Sequence, residues 1–185
     1  MNFKLNKKSI SNIVFVIAIG VLLYPPSREW FMRQIAFAPS VKEVEKSEKL
    51  SSYNWDLKGL NAESISFNEL ENKVIFVNFW ATWCPPCRAE MPMIQKLYDD
   101  YKDKVAFVFV TNEDWPIVEG FFNKNSYNLP VYNTVSSPPN SFTKTNSIPA
   151  TYLIDKKGNI LIAKTGSADW NSNKIRKLLD ELIAQ

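Results

Sequence analysis

Between residues 74 and 87 the chain reads VIFVNFWATWCPPC, and this stretch decides the fold. Its first seven residues form an apolar run broken only by Asn78, which is typical of a central strand buried on both faces. Cys84 and Cys87, the two cysteines of the chain, follow where the pattern changes from strand to helix. Because this spacing places both sulfurs on one helical turn, their disulfide can close and reopen without unfolding the protein. The stretch therefore predicts a strand, a turn and a helix that carry a reversible disulfide.

The position of Cys84 at the predicted start of the helix bears on its reactivity. Unpaired backbone N–H groups and the partial positive charge of a helix N-terminus favour a thiolate over a thiol. A fall in the thiol pKa from about 8.5 to about 7 would raise the reactive fraction at neutral pH from a few per cent to about half. The residues thus predict that the chain moves electrons between disulfides.

Composition excludes several other classes of protein. The 185 residues include 22 Lys and Arg, 19 Asp and Glu, and no histidine. Residues 28–185 carry equal numbers of acidic and basic side chains, so the domain lacks the positive charge of a nucleic-acid binder. The absence of histidine removes Ser-His-Asp and Cys-His catalysis and haem attachment, and two cysteines cannot hold a four-thiolate zinc or an iron–sulfur cluster. We therefore expect no cofactor, no metal and no nucleic-acid partner.

The N-terminus carries a targeting signal. Residues 10–24 are uncharged and mostly apolar, and Lys4, Lys7 and Lys8 precede them. The positive-inside rule then places the N-terminus in the cytoplasm and the rest of the chain across the membrane. The stretch is shorter than the about 20 residues of a full span, so a cleavable signal peptide is an alternative, as is a helix buried in the domain. No small-residue cleavage site follows closely, which favours an uncleaved single-pass anchor in the cytoplasmic (inner) membrane.

The chain accordingly divides into a short N-terminal part and one domain on the periplasmic or extracytoplasmic side. Disulfides persist outside the cytoplasm, where a cysteine pair is either a structural staple or a working redox couple. A staple that closes only two intervening residues stabilises little, so the short spacing favours the redox couple. The expected regions are a basic flank and anchor at 1–27, a tether at 28–50 and the domain at 51–185.

The remaining pattern predicts a small α/β domain with a mixed central sheet flanked by helices. Strand and helix patterns alternate after the first strand, and a hairpin and an amphipathic helix close the chain. The predicted strands lie at 74–80, 105–110, 129–132, 151–155 and 160–164, and the predicted helices at 84–101, 114–124 and 173–183.

Two motifs carry a family likeness. Residues 77–92, VNFWATWCPPCRAEMP, and residues 147–155, SIPATYLID, together resemble the membrane-anchored thioredoxin-like proteins called TlpA/ResA-like. The resemblance covers roughly residues 50–185. It implies a thioredoxin-like fold and an extracytoplasmic thiol–disulfide oxidoreductase, often a reductant, as in cytochrome c maturation. Its partners would be exported protein disulfides, with apocytochrome c as one example, and a membrane thiol protein that donates electrons.

The resemblance also assigns roles to site residues. Cys84, the more exposed of the pair, would attack the substrate disulfide, and Cys87 would resolve the mixed disulfide. Pro149 would be a cis-proline facing the sulfurs, with an ordinary trans-proline as the alternative. Ile148 would present its backbone to a bound peptide.

The residues around the pair are expected to form the docking surface. Trp83 would shape that surface together with Pro85 and Pro86, whereas Trp80, inside the strand, is expected to pack in the core. The dipeptide between the cysteines, Pro85-Pro86, lacks the histidine of strong oxidants, which favours the reducing direction.

Glu90 has two interpretations. In ResA-like members an acid at this position is linked to thiol reactivity, because a carboxylate near a thiolate raises the thiol pKa and can accept a proton. The alternative is a solvated glutamate on the helix surface. Asn78 stands where cytoplasmic thioredoxins bury an aspartate, which favours the first interpretation.

Other functions remain compatible with these residues. A disulfide-forming oxidant would use the same cysteines in the opposite direction, and a binding module would not use them at all. A peroxidase would consume hydroperoxide through Cys84.

Overall fold

One sheet organises the chain in the computed structural model, which describes residues 7–24, 27, 31, 36–42 and 47–185. In these residues the helices are α1 (Lys7–Leu23), α2 (Pro85–Tyr101), α3 (Trp115–Asn125) and α4 (Asn173–Ala184), and short 3-10 turns span Phe67–Leu70 and Asn140–Phe142. The strands are β1 (Glu48–Lys49), β2 (Asp56–Gly59), β3 (Ile65–Ser66), β4 (Val74–Phe79), β5 (Val105–Val110), β6 (Val131–Thr134), β7 (Ala150–Ile154) and β8 (Asn159–Thr165).

The sheet is mixed, as the sequence predicts. Its order is β1-β8-β7-β4-β5-β6-β2-β3. The strands β4, β5 and β6 run parallel, and the other neighbours are antiparallel. The strands β2 and β3 form an antiparallel hairpin before β4, and the predicted closing hairpin is the pair β7 and β8.

The strand β4 is buried on both faces because its side chains alternate between two apolar clusters. Val74 and Phe76 belong to the cluster that also contains the buried side chains of α2, α3 and α4. Ile75 and Val77 belong to a second cluster that is rich in aromatic rings, among them Trp55 just before β2 and the phenylalanines of the two 3-10 turns. This double burial explains the continuous apolar run in the sequence.

The helix α2 presents an apolar stripe to the core. Its buried side chains include Met91, Ile94 and Leu97, spaced at helical intervals. Pro92 lies inside α2, and the helix continues through it to Tyr101. A proline inside a helix removes one hydrogen bond and crowds the carbonyl four residues earlier, but the flanking core contacts hold the neighbouring turns in place.

The N-terminal prediction is tested only in part. A helix, α1, lies in the predicted anchor, whereas residues 1–6, 25–26 and 28–30 fall outside the described residues. Within the described part of the chain, no helix combines the length and the apolar character needed to cross a membrane.

The predicted tether contributes to the domain. Residues 48–49 form β1 and pair with Asn159 and Ile160 of β8, although we placed the start of the domain at residue 51. Leu50 is buried in the second cluster. Residues 32–35 and 43–46 of the tether lie outside the described part of the chain.

Candidate functional site

The two motifs meet at one end of the sheet. The turn that carries the cysteines begins where β4 ends at Phe79, and the register of the sheet pairs Phe79 with Ala150 at the start of β7. The peptide bond between Ile148 and Pro149, just before β7, is cis, as the resemblance implied. The sheet therefore brings Pro149 to the edge at which α2 begins.

Cys84 and Cys87 form a disulfide, as predicted, and both are buried. The exposed fraction is 3% for Cys84 and 1% for Cys87, so the first cysteine is only marginally more accessible. Trp83, by contrast, is 69% exposed, and Pro85 is also exposed. A partner must therefore reach the sulfurs through the surface that these neighbours form.

The start of α2 directs a single N–H group at the sulfur of Cys84. Cys84 is the N-cap residue, and its Sγ accepts a hydrogen bond from the Cys87 N–H at 3.2 Å. Pro85 and Pro86 occupy the two positions between them and have no N–H to offer. This one donor and the helix dipole face the Cys84 sulfur, and the stabilisation of a Cys84 thiolate stays a prediction.

Glu90 is fully buried beneath the start of α2, so the interpretation as a solvated surface glutamate is wrong. Its Oε1 accepts a hydrogen bond from Asn78 Nδ2 at 3.0 Å. Its Oε2 accepts one from the Ala168 N–H at 3.2 Å and one from Trp170 Nε1 at 2.9 Å. Helix α2 points this face inward because Glu90 and Cys87 lie one turn apart on the same side.

Burial is the largest influence on the pKa of the Glu90 carboxyl. Removal from water raises the pKa of Glu90 from 4.5 to about 7, although the N–H donors of Trp170, Asn78 and Ala168 and the charge of Lys164 lower it. A carboxyl with this pKa can hold or release a proton near neutral pH. It lies one helical turn from Cys87, whose thiol must lose a proton during exchange.

Sequence reasoning missed two of the three donors to Glu90. Ala168 and Trp170 follow Glu90 by 78 and 80 positions and belong to the loop between β8 and α4. Only the tryptophan offered a signal, since a lone Trp before a helix cap is a candidate buried donor. Asn78, which we singled out, also donates to Thr151 Oγ1 at 2.8 Å.

Sequence reasoning also missed Glu113, which holds the turn before the cysteines. Its carboxylate accepts hydrogen bonds from the Thr82 N–H and the Thr82 hydroxyl, both at 2.6 Å. The Asn133 side chain donates to the Glu113 and Thr111 carbonyls and anchors this loop to β6. Glu113 therefore fixes the backbone two residues before Cys84.

Replacing Glu113 with alanine is expected to lower the free energy of unfolding by about 2 kcal/mol, since the half-buried Thr82 N–H would lose a charged acceptor. Urea unfolding of the oxidised protein measures this change. Glu113→Gln retains one acceptor oxygen and should lose less. An alanine variant as stable as the unaltered protein would show that water replaces the carboxylate without cost.

A groove of about 520 Å³ adjoins the turn that leads to Cys84. Trp83 and Ile148 line it on the side of the two motifs, and Trp80 lines it while remaining 98% buried, as its predicted core role requires. Phe79 and Phe142 add an aromatic lining. The site thus combines a reactive disulfide with an adjacent, mainly apolar depression that could receive a side chain of a partner.

Comparisons with known proteins agree with the site. A family model described as Redoxin matches residues 38–180. The thiol-disulfide oxidoreductase ResA of Halalkalibacterium halodurans is 35% identical over 115 residues, which are 61% of this chain and 65% of that relative. The thioredoxin-like protein YneN of Bacillus subtilis is 32% identical over 156 residues, 82% of this chain and 86% of that relative.

Solved structures show the same architecture. The crystal structure of StoA from Bacillus subtilis superposes with a TM-score of 0.53 at 25% identity, and the match covers 73% of this chain and 99% of that one. The predicted thioredoxin-like α/β fold is thereby confirmed.

Proposed function

Because the chain belongs to the Redoxin family, as a ResA-like thiol-disulfide oxidoreductase, we propose that it reduces disulfides of exported proteins from the outer face of the cytoplasmic membrane. The observation that carries the reducing direction is the single N–H group facing the sulfur of Cys84. Strong oxidants owe their potential to a stabilised reduced form. Here two prolines withhold N–H donors and a buried carboxyl lies one turn below, so the thiolate receives limited stabilisation.

The exchange proceeds in two displacements. The Cys84 thiolate attacks one sulfur of the substrate disulfide, a mixed disulfide forms, and the other substrate sulfur leaves as a thiolate. Cys87 then attacks the Cys84 sulfur, closes the disulfide within the chain and releases the second substrate sulfur. Glu90 accepts the proton that Cys87 gives up. Two electrons pass to the substrate, and a membrane thiol protein returns the pair to the dithiol form.

The docking surface consists of the exposed turn and the groove. Trp83, Pro85 and Pro86 flank the cysteines along the chain, and Ile148 and Pro149 precede β7, whose start pairs with the end of β4. An extended peptide, for example from apocytochrome c, would lie along Ile148 and place one apolar side chain in the groove.

The anchor is formed by the apolar helix α1 and its basic flank. The 17 residues of α1 span about 26 Å at 1.5 Å per residue, which approaches the about 30 Å of a hydrocarbon core. Lys7 and Lys8 at its start favour a cytoplasmic N-terminus. The anchor would keep the domain close to a membrane electron donor.

The test of direction is the equilibrium reduction potential of the Cys84–Cys87 disulfide. We expect a value near or below about −270 mV when the full chain is titrated against a thiol buffer. A value near about −120 mV would mark an oxidant that installs disulfides. A pair that does not titrate reversibly would favour a binding module without redox activity.

A further inference from the structure

The loop between β8 and α4 touches both parts of the redox site. Gly166, at the end of β8, donates its N–H to the Pro149 carbonyl at 2.9 Å. Two positions on, the Ala168 N–H reaches Glu90 Oε2, and the indole N–H of Trp170 reaches the same oxygen. The loop therefore links the cis-proline to the buried carboxyl.

The middle residue of this loop is held by the N-terminal segment of the chain. Asp169 lies between the two donors to Glu90, and its N–H donates to the Phe37 carbonyl at 3.1 Å. The Phe37 side chain is 83% exposed, so the contact is made by its backbone. We call residues 36–42 the strap.

The strap is fixed to the domain at three further points. The Lys42 N–H donates to the Leu161 carbonyl of β8 at 2.8 Å. The Lys174 ammonium, in the first turn of α4, donates to the Pro39 carbonyl at 3.1 Å. Val41 packs against the main apolar cluster. These contacts hold the strap across the side of the domain on which the loop lies.

We propose that the strap is a positioning element for Glu90, which acts by holding Asp169 and thereby the donors on either side of it. The inference deepens the proposed function, since it assigns a role in proton handling to the segment that leads from the anchor. Ala168 and Trp170 are each one residue from the strap contact, so loosening Asp169 would displace both donors together.

The direction of the effect follows from the groups that face Glu90. Lys164 on β8 and the N–H donors of Ala168, Trp170 and Asn78 favour the carboxylate, whereas burial disfavours it. Cys84 and Cys87, which are thiols in the reduced protein, precede Glu90 at the start of α2, and the Asp169 carboxylate accepts a hydrogen bond from the Asn171 N–H. Loss of donors would therefore raise the pKa of Glu90 further.

The test uses the full chain in detergent, reduced, with the rate of alkylation of its thiols by iodoacetamide measured from pH 5 to 9. The double variant Lys174→Met, Val41→Ser removes two strap contacts. We expect the inflection due to Glu90 to move upward by about one pH unit, comparable to the weakening of one charged hydrogen bond. Glu90→Gln identifies that inflection by removing it.

Matched controls separate positioning from simple destabilisation. Lys177→Met, which removes an exposed lysine of the same helix, should leave the inflection in place. Combining Lys174→Arg, in place of Lys174→Met, with Val41→Ser should bring the inflection part of the way back. If the double variant does not fold, Lys174→Met alone gives the same test with a smaller shift.

A lowered melting temperature with an unchanged inflection would overturn the proposal and show that the strap only stabilises the fold. Alkylation requires no substrate, so that result would not affect the proposed reductase activity, which the reduction potential tests separately.

Discussion

Replacement of Cys84 by serine is expected to lower the rate of disulfide exchange by at least about 10³-fold, because a hydroxyl can neither act as a thiolate nor form the mixed disulfide. The fold should persist, since the side chain differs by one atom and the site is not a long-range staple. The measurement is the reduction of insulin disulfides with dithiothreitol as electron source.

Cys87→Ser is the matched control. This variant keeps the attacking thiol at the start of α2, so it should form a mixed disulfide with the substrate and fail to release it. Mass spectrometry of the non-reduced product detects that adduct. If instead Cys84→Ser traps the substrate and Cys87→Ser does not, the two cysteines have the opposite roles.

The second large effect concerns Glu90 and pH. Because its pKa is about 7 when folded and 4.5 ordinarily, the folded chain holds a proton between these values that the unfolded chain has lost. The stabilisation that protonated Glu90 contributes is thus fully present below about pH 4.5 and is lost as pH rises to about 7. The free energy of unfolding should decrease by about 3 kcal/mol over this range. Glu90→Gln should remove this part of the slope.

Urea unfolding of the oxidised proteins at several pH values measures the difference. The comparison uses the slope of the free energy of unfolding against pH and not its absolute value. The amide of Glu90→Gln also changes the hydrogen bonds to Ala168 and Trp170, and this change shifts the whole curve. Glu119→Gln, on the exposed face of α3, should leave the slope as it is. Parallel curves for the unaltered chain and Glu90→Gln would mean that Glu90 is ionised in the fold throughout this range.

The local sequence pattern was sufficient to predict the elements that carry the two cysteines. The apolar run of β4, the spacing of Cys84 and Cys87 and the helix that follows are all encoded within about 30 residues, where periodicity and turn chemistry are informative. The cis bond before Pro149 required the family resemblance, because a single X-Pro pair does not reveal its isomer.

Long-range contacts could not be predicted in the same way. Whether Glu90 faces water or the core depends on Trp170 and Ala168, which approach it only after the sheet and α4 are assembled. The Glu113 carboxylate likewise reaches Thr82 from the end of another strand. Helical periodicity alone did not decide whether position 90 lies on the exposed or on the buried face of α2.

The sheet ends at each edge in a strand of two residues, β1 and β3. A long exposed edge invites other chains to add strands, and short or charged edges limit such pairing. The strand β1 consists of Glu48 and Lys49, and Glu48 is further engaged by the Lys144 ammonium. The two edges therefore expose few unpaired backbone groups at which another chain could add a strand. The extended peptide that we propose to bind beside Ile148 would therefore find little free backbone to pair with at either edge of the sheet.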